Sequence, residues 1–372
     1  MTQPVRPTDE APVSARWVLP VNAPAVPWAR VADSAGTAIE HVRPEACDLP
    51  GHALLPPLVN AHTHLDLSAH TEPLAPGRPL PEWLPEVVRS RTGDSIEAIR
   101  EGHDECRRAG TALIADVTTV DEPLPELTGR TALREYLGCD PDRWDTTAAS
   151  AKRFLSANPS AGLSPHATYS VPVRLLRRLV DVAGSRPVMM HLAEDPAERS
   201  LLRDGSGPFR TMLEQLGVWR AGLFGGQTMS DVLAELLRAP RPIIAHGNDL
   251  SDAEIEQIAA HGNATVVWCP RTQLAFGQPR HPVLKLRRRG VRVAIGTDSR
   301  ASTPTISMLD ELRAAYHARP DIDPQDLLAM ATTEGAAMLA ADLPPHWSVH
   351  PLAEPDASDW PTALFGRRSS AF

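Results

Sequence analysis

Five histidines, a glutamate and an aspartate stand where apolar runs of this chain end. The stretch Asn60-Ala61-His62-Thr63-His64-Leu65-Asp66 follows "ALLPPLV", which reads as a buried strand. Side chains alternate along a strand, so His62 and His64 face the same way. Two imidazoles side by side at a strand end commonly bind a metal ion, and two hydrogen-bonded polar histidines are the plainer alternative. The other run ends weigh on that choice, because His166, His191, His246 and Asp298 occupy the same kind of position. Any one of them alone is more simply a hydrogen-bonded cap; the whole set is hard to obtain that way. Three neutral imidazoles and one carboxylate, with a place left for water, form the ligand set of a catalytic zinc or ferrous ion. Such an ion lowers the pKa of its water from about 15.7 to about 7. Glu194, three residues past His191 in "HLAE", is then the natural proton carrier, with an ordinary loop glutamate as the alternative.

The elements that must position these groups follow from the patterning. Eight short apolar runs recur: "ALLPPLVNAHTH", "TALIADVTT", "TALREYLG", "SAGLSPHATYS", "RPVMMHLAE", "RPIIAHGN", "ATVVWCP" and "VRVAIGTDS". Helical patterns lie between most of them. "DSIEAIREGHDECRRAG" offers Asp94 as N-cap, Glu97 three residues on, and Gly110 as a stop. "SDAEIEQIAAHG" repeats the device with Ser251, Glu254 and Gly262. "TISMLDELRAAYHARP" places Leu309, Leu312 and Tyr316 on one stripe before Pro320. "DEPLPELTGR", after the second run, is too rich in proline for a helix. Eight strand–helix units over about 290 residues predict an α/β fold of (β/α)8 TIM-barrel type. A doubly wound open sheet is the alternative, but no glycine-rich phosphate loop follows any run. The expected organisation is a small β segment at 1–55, the barrel at 56–342 and an irregular tail at 343–372. That tail either completes the β segment or packs along the barrel.

Composition narrows the partners. The chain has 372 residues and a formal charge of -9, which argues against nucleic acid or an anionic membrane surface as main partner. Cys47, Cys106, Cys139 and Cys269 are widely spaced and read as reduced thiols of a cytoplasmic protein. The opening "MTQPVRPTDE" has no signal-peptide pattern, and no run of about 18 apolar residues suggests a membrane span. A small-molecule substrate remains, with a homodimer left open.

The constellation "VNAHTHLD … SPHATYS … HLAE … AHGNDLS … VVWCPRTQ … IGTDSRAST" resembles the amidohydrolase superfamily in its mononuclear deaminase branch. The resemblance covers roughly residues 52–342, with its motifs in the family's order. It implies metal ligands at His62, His64, His191 and Asp298, and one divalent ion, zinc or ferrous. It also implies proton transfer through Glu194 and His246, with Asp298 as a further relay, and substrate held by His166. The implied reaction is attack of a metal-bound hydroxide on the amino-bearing carbon of an aromatic ring, with loss of ammonia. Binuclear relatives bridge their metals through a lysine; here Lys152 and Lys285, the only lysines, both fall in helical patterns, so a single metal is expected.

"GTDSRASTPTISMLDELRAA" and "PLAPGRPLPEWLPEVVRSR" most resemble enzymes that deaminate 6-amino-6-deoxyfutalosine, an adenosine-type nucleoside of the futalosine route to menaquinone. The alternatives are S-adenosylhomocysteine or methylthioadenosine, guanine, a chlorotriazine, or a non-catalytic relative kept as a scaffold. The first substrate carries a benzoate, for which Arg78, Arg89 and Arg300 are candidate partners among ordinary surface arginines. Residues 203–232 form either a cover over the substrate, through Phe209 or Trp219, or a packed helical insertion. Trp268 and Cys269 read as core or as support for the site. Asp66 either orients a ligand or touches substrate. The tail lacks the family's usual closing β signature.

Overall fold

In the computed structural model, residues 13–32, 38–74, 77–91, 95–121, 124 and 126–368 are described. The N-terminal "MTQPVRPTDE" and Asp94 lie outside them. The first strands are β1 (Ser14–Val18), β2 (Val26–Val31), β3 (Ile39–His41) and β4 (Leu49–Leu55). Each of the eight apolar runs then contributes one strand: β5 (Leu58–Thr63), β6 (Thr111–Thr118), β7 (Arg130–Tyr136), β8 (Gly162–Pro165), β9 (Val188–Leu192), β10 (Pro242–His246), β11 (Thr265–Trp268) and β12 (Arg292–Ile295). A last strand, β13 (Ser348–Pro351), comes from the tail.

Strands β5 to β12 lie in sequence order in one parallel sheet. The sheet closes where β12 meets β5: Thr297 N and Asp298 N both donate to the His62 carbonyl at 3.0 Å, and Thr63 Oγ1 donates to the Asp298 carbonyl at 2.7 Å. Asn60 locks the same seam, with Nδ2 donating to Thr297 Oγ1 at 2.8 Å and Oδ1 accepting from Thr297 N at 3.1 Å. Gly296 is required there, because a Cβ would lie 2.8 Å from the N and O of His62. Apolar residues such as Val59, Ala61, Val117, Leu133, Met189 and Ala245 fill the interior. The fold is therefore the expected barrel, not an open sheet.

The remaining strands form a second, five-stranded sheet in the order β13-β4-β1-β2-β3. The tail completes this sheet: β13 runs antiparallel to β4, with Val349 opposite Leu54.

Local signals in the sequence are realised where they can be checked. Ser251 Oγ accepts from Glu254 N and Glu254 accepts from Ser251 N at 2.8 Å, opening the helix Asp252–His261, which stops at Gly262 with φ +77°. Leu309, Leu312 and Tyr316 are all buried on the helix Met308–Ala318. No helix joins β6 to β7 among the described residues. None of the described helices is long and apolar enough to cross a membrane.

Candidate active site

The C-terminal ends of the barrel strands turn sharply, and three of the turning residues carry side chains in the left-handed region: Ala193 at φ +52°, His246 at +69° and Asp298 at +58°. Such conformations cost on the order of 1–3 kcal/mol each and concentrate where a site must be aimed. Backbone contacts hold them. His246 offers its carbonyl to His281 Nε2 at 2.8 Å, and His281 stacks on Trp268 with ring centroids 5.4 Å apart. Asp298 takes both seam contacts described above.

The side chains so aimed converge. His64 Nε2 and His191 Nε2 are 3.2 Å apart, and Asp298 Oδ1 lies 3.8 Å from His62 Nε2 and 3.7 Å from His64 Nε2. His62, His191 and His246 form a second grouping, with donor atoms within 4.8 Å of one another. Donors about 2.0–2.1 Å from a tetrahedral ion lie roughly 3.3 Å from each other, close to these spacings. The tautomers fit as well. His191 Nδ1 donates to the His166 carbonyl at 2.8 Å, leaving Nε2 with its lone pair free, and His62 Nε2 is buried with no hydrogen-bond partner. Asp298 Oδ2 accepts from Ser302 Oγ at 3.2 Å, which keeps Oδ1 directed at the histidines.

Burial dominates the electrostatics. It drives His62, His64 and His246 well below the ordinary histidine value, and His166 and His191 down to about 3. All five imidazoles are therefore neutral, the form that ligates metals. Burial pushes the Asp298 carboxyl up to about 6, against the hydrogen bond from Ser302. Glu194 is raised well above its usual range by burial, and then by the charge of Asp298. Its Oε1 lies 3.6 Å from His246 Nε2. A neutral carboxylic acid beside a neutral imidazole can pass a proton in either direction.

All seven residues singled out in the sequence thus meet at one barrel mouth. His166 stands at the edge of the group, its ring 5.0 Å from that of His191 and its Nδ1 2.7 Å from Ser170 Oγ. Lys152 and Lys285 lie in the helices Trp144–Ala157 and Val283–Arg288, and Lys285 pairs with Asp252 at the surface. Asp66 is engaged by other partners, with Oδ2 accepting from Arg91 at 2.8 Å and Thr119 Oγ1 at 2.7 Å. Arg78 and Arg89 both pair with Glu86, and Arg300 with Glu105. Residues 203–232 are a packed, partly helical segment: Phe209 is fully buried and stacks on Tyr169 at 4.2 Å, and Trp219 faces Phe224 at 6.1 Å. Trp268 and Cys269 are both buried, the first under His281.

Three participants escaped the sequence reading. Glu198, fully buried, accepts from the backbone N–H of Ala193, Glu194 and Asp195 at 3.1, 2.6 and 3.0 Å, and from Thr168 Oγ1 at 2.6 Å. It fixes the loop that carries Glu194. Glu135, on β7, is buried beside His166. Arg91 is the arginine nearest in effect to the cluster, where its charge adds to burial in holding His64, His166 and His191 neutral. An acidic residue at the end of the apolar run "TALREYLG" was the available signal for Glu135. Nothing local marks Glu198 or Arg91.

The chain resembles known proteins along most of its length. The profile described as "Amidohydrolase family" matches residues 53–342. The chain is 32% identical over 321 residues to the aminodeoxyfutalosine deaminase of Deinococcus radiodurans, covering 79% of this chain and 75% of that one. It is 28% identical over 320 residues to the 5-methylthioadenosine/S-adenosylhomocysteine deaminase of Pyrococcus furiosus, covering 78% and 71%. The fold is shared with Helicobacter pylori aminofutalosine deaminase, solved in complex with methylthio-coformycin, at a TM-score of 0.72 and 20% identity over 89% of this chain and 88% of that one.

Proposed function

We propose a substrate for this chain, which belongs to the amidohydrolase family and is a metal-dependent deaminase acting on C–N bonds: an aminopurine nucleoside, with 6-amino-6-deoxyfutalosine first among them. The observation that carries the choice is the 32% identity to the Deinococcus enzyme across most of both chains. The site's chemistry suits it, since buried neutral imidazoles beside a carboxyl held protonated can give a proton to a weakly basic ring nitrogen.

In this reading His62, His64, His191 and Asp298 hold one divalent ion, and nitrogen donors with a single carboxylate favour zinc, with ferrous iron as the alternative. The ion, when bound, supplies hydroxide at neutral pH. Glu194 starts protonated and gives its proton to the ring nitrogen beside the amino-bearing carbon, lowering the cost of adding a nucleophile there. The carboxylate so formed takes the proton of the hydroxyl now on that carbon and passes it to the amino nitrogen, a transfer that Asp298 also serves, so that the C–N bond breaks, ammonia leaves and a ring carbonyl forms. His246, aimed by its backbone bond to His281, stabilises the oxygen that develops at the attacked carbon. His166 holds the ring, its orientation set by Ser170. Burial of the clustered side chains excludes water around these transfers. The four free thiols suit a reducing, cytoplasmic setting, and the product would pass into the futalosine route to menaquinone.

The second reading, a methylthioadenosine or S-adenosylhomocysteine deaminase, rests on the 28% identity to the Pyrococcus enzyme. Ammonia release from 6-amino-6-deoxyfutalosine, methylthioadenosine, S-adenosylhomocysteine and adenosine separates the two. The expected result is the highest kcat/KM on the first. A higher value on either thioether transfers the assignment to it, and no ammonia from all four removes the nucleoside reading.

A further inference from the structure

Beside His166 stands a carboxylate that the chemistry above does not use. Leu133 on β7 points into the barrel, where it packs with Val59, Val117 and Met189. Strand alternation puts Glu135, two residues on, over the same interior face at the mouth. The residue is only 8% exposed, and its Oε2 is buried with no hydrogen-bond partner. The closest basic atom is His166 Nε2 at 4.0 Å, too far for a hydrogen bond. A buried carboxylate oxygen left without a donor costs several kcal/mol unless something supplies one.

The neighbours say what is missing. Arg91, whose guanidinium binds Asp66 Oδ2 at 2.8 Å, also interacts with Glu135 through its charge. The local negative charge is thus already partly balanced, and the unmet need is for hydrogen-bond donors and not for a cation. His166, which holds the ring in the reading above, is the basic group nearest to Glu135, so a substituent carried by that ring is the part of a ligand closest to this carboxylate. For a nucleoside that substituent is the sugar, whose two adjacent hydroxyls match the two oxygens of one carboxylate.

We infer that Glu135 is a specificity-determining residue whose carboxylate accepts hydrogen bonds from the vicinal sugar hydroxyls of the substrate. The inference rests on the nucleoside reading above, and its test is separable from that reading because it measures binding without turnover. Purine riboside, which has no amino group to lose, and its 2′,3′-dideoxy analogue are titrated by calorimetry into the zinc-loaded protein and its Glu135→Gln variant. Wild type is expected to prefer the riboside, and the variant to bind the riboside roughly 10- to 100-fold more weakly, with the dideoxy analogue nearly unaffected. Glu135→Asp, which keeps the charge but withdraws it by one methylene, should show the same selective loss, and serves if the glutamine variant does not fold. Equal weakening of both ligands would mean that Glu135 merely positions His166 and would overturn the inference, as would an unchanged preference in both variants. Absence of ammonia release with the Glu135-dependent preference intact would leave the sugar site standing and remove the deaminase substrate alone.

Discussion

Replacing Glu194 by glutamine keeps its volume and removes its capacity to carry a proton. Ammonia release is expected to fall by on the order of 10²–10⁴, with metal content by atomic absorption unchanged. Loss of metal from Glu194→Gln would place the carboxylate among the ligands instead. Glu311 tests a different consequence of burial. It is fully buried on the helix Met308–Ala318, and its carboxyl is pushed up to about 8 by burial, against the charge of Arg271. A folded-state value raised above the unfolded one gives stability that is complete below about 4.5 and lost as pH rises through about 8. Glu311→Gln should therefore flatten the fall in Tm between about pH 5 and pH 8.5, and an unaltered slope would show that Glu311 is ionised in the folded protein. The clustered histidines were legible in the sequence because they stand where apolar runs end. Glu198 was not, since its role depends on three backbone N–H groups gathered by a turn at Ala193 that no residue type there announces.

At the level of elements, the closing contact between β12 and β5 is the tightest constraint on the metal ligands. Gly296→Ala would place a methyl group 2.8 Å from backbone atoms of His62, so the seam must move. The expected cost is about 1–3 kcal/mol, read as a lower Tm, together with reduced zinc occupancy because His62 and Asp298 are carried on the two sides of that seam. Normal occupancy at normal Tm would mean that the seam yields without disturbing the ligands. The strands themselves were readable from their apolar runs. The closing pair was not: periodicity reports which face of a strand is buried and carries no information about its neighbour. Capping signals fared better, and Glu254 shows why they can still understate a residue. It completes the cap with Ser251 while binding Arg199 at 2.9 Å, and so ties the helix after β10 to the helix Glu198–Asp204, which follows the loop bearing Glu194.

For the molecule as a whole, the ion and the fold support each other. His62 Nε2 and His64 Nδ1 are buried without partners, and five neutral imidazoles crowd one mouth. Stripping the metal with a chelator should lower Tm, and restoring zinc at about 100 times its Kd should return roughly 2.7 kcal/mol of stability. Identical melting of stripped and loaded protein would exclude binding to this cluster. The barrel class could be argued from eight strand–helix units. That the tail completes the small sheet could not, because a four-residue strand lacking the family's closing signature has too little pattern to declare a partner.

Both closures join distant parts of the chain. Thr63 bonds to Asp298 across 235 residues, and Ser348 bonds to Leu55 across 293. On a ribosome, His62 and His64 would emerge long before Asp298, and the free edge of β4 would wait longer still for β13. Through most of synthesis the nascent chain would therefore carry half a metal site and an unpaired strand edge, the circumstance in which chaperones guard against aggregation. Translation has to pass residue 298 before the seam can shut, which makes metal capture a late event in the life of each new molecule.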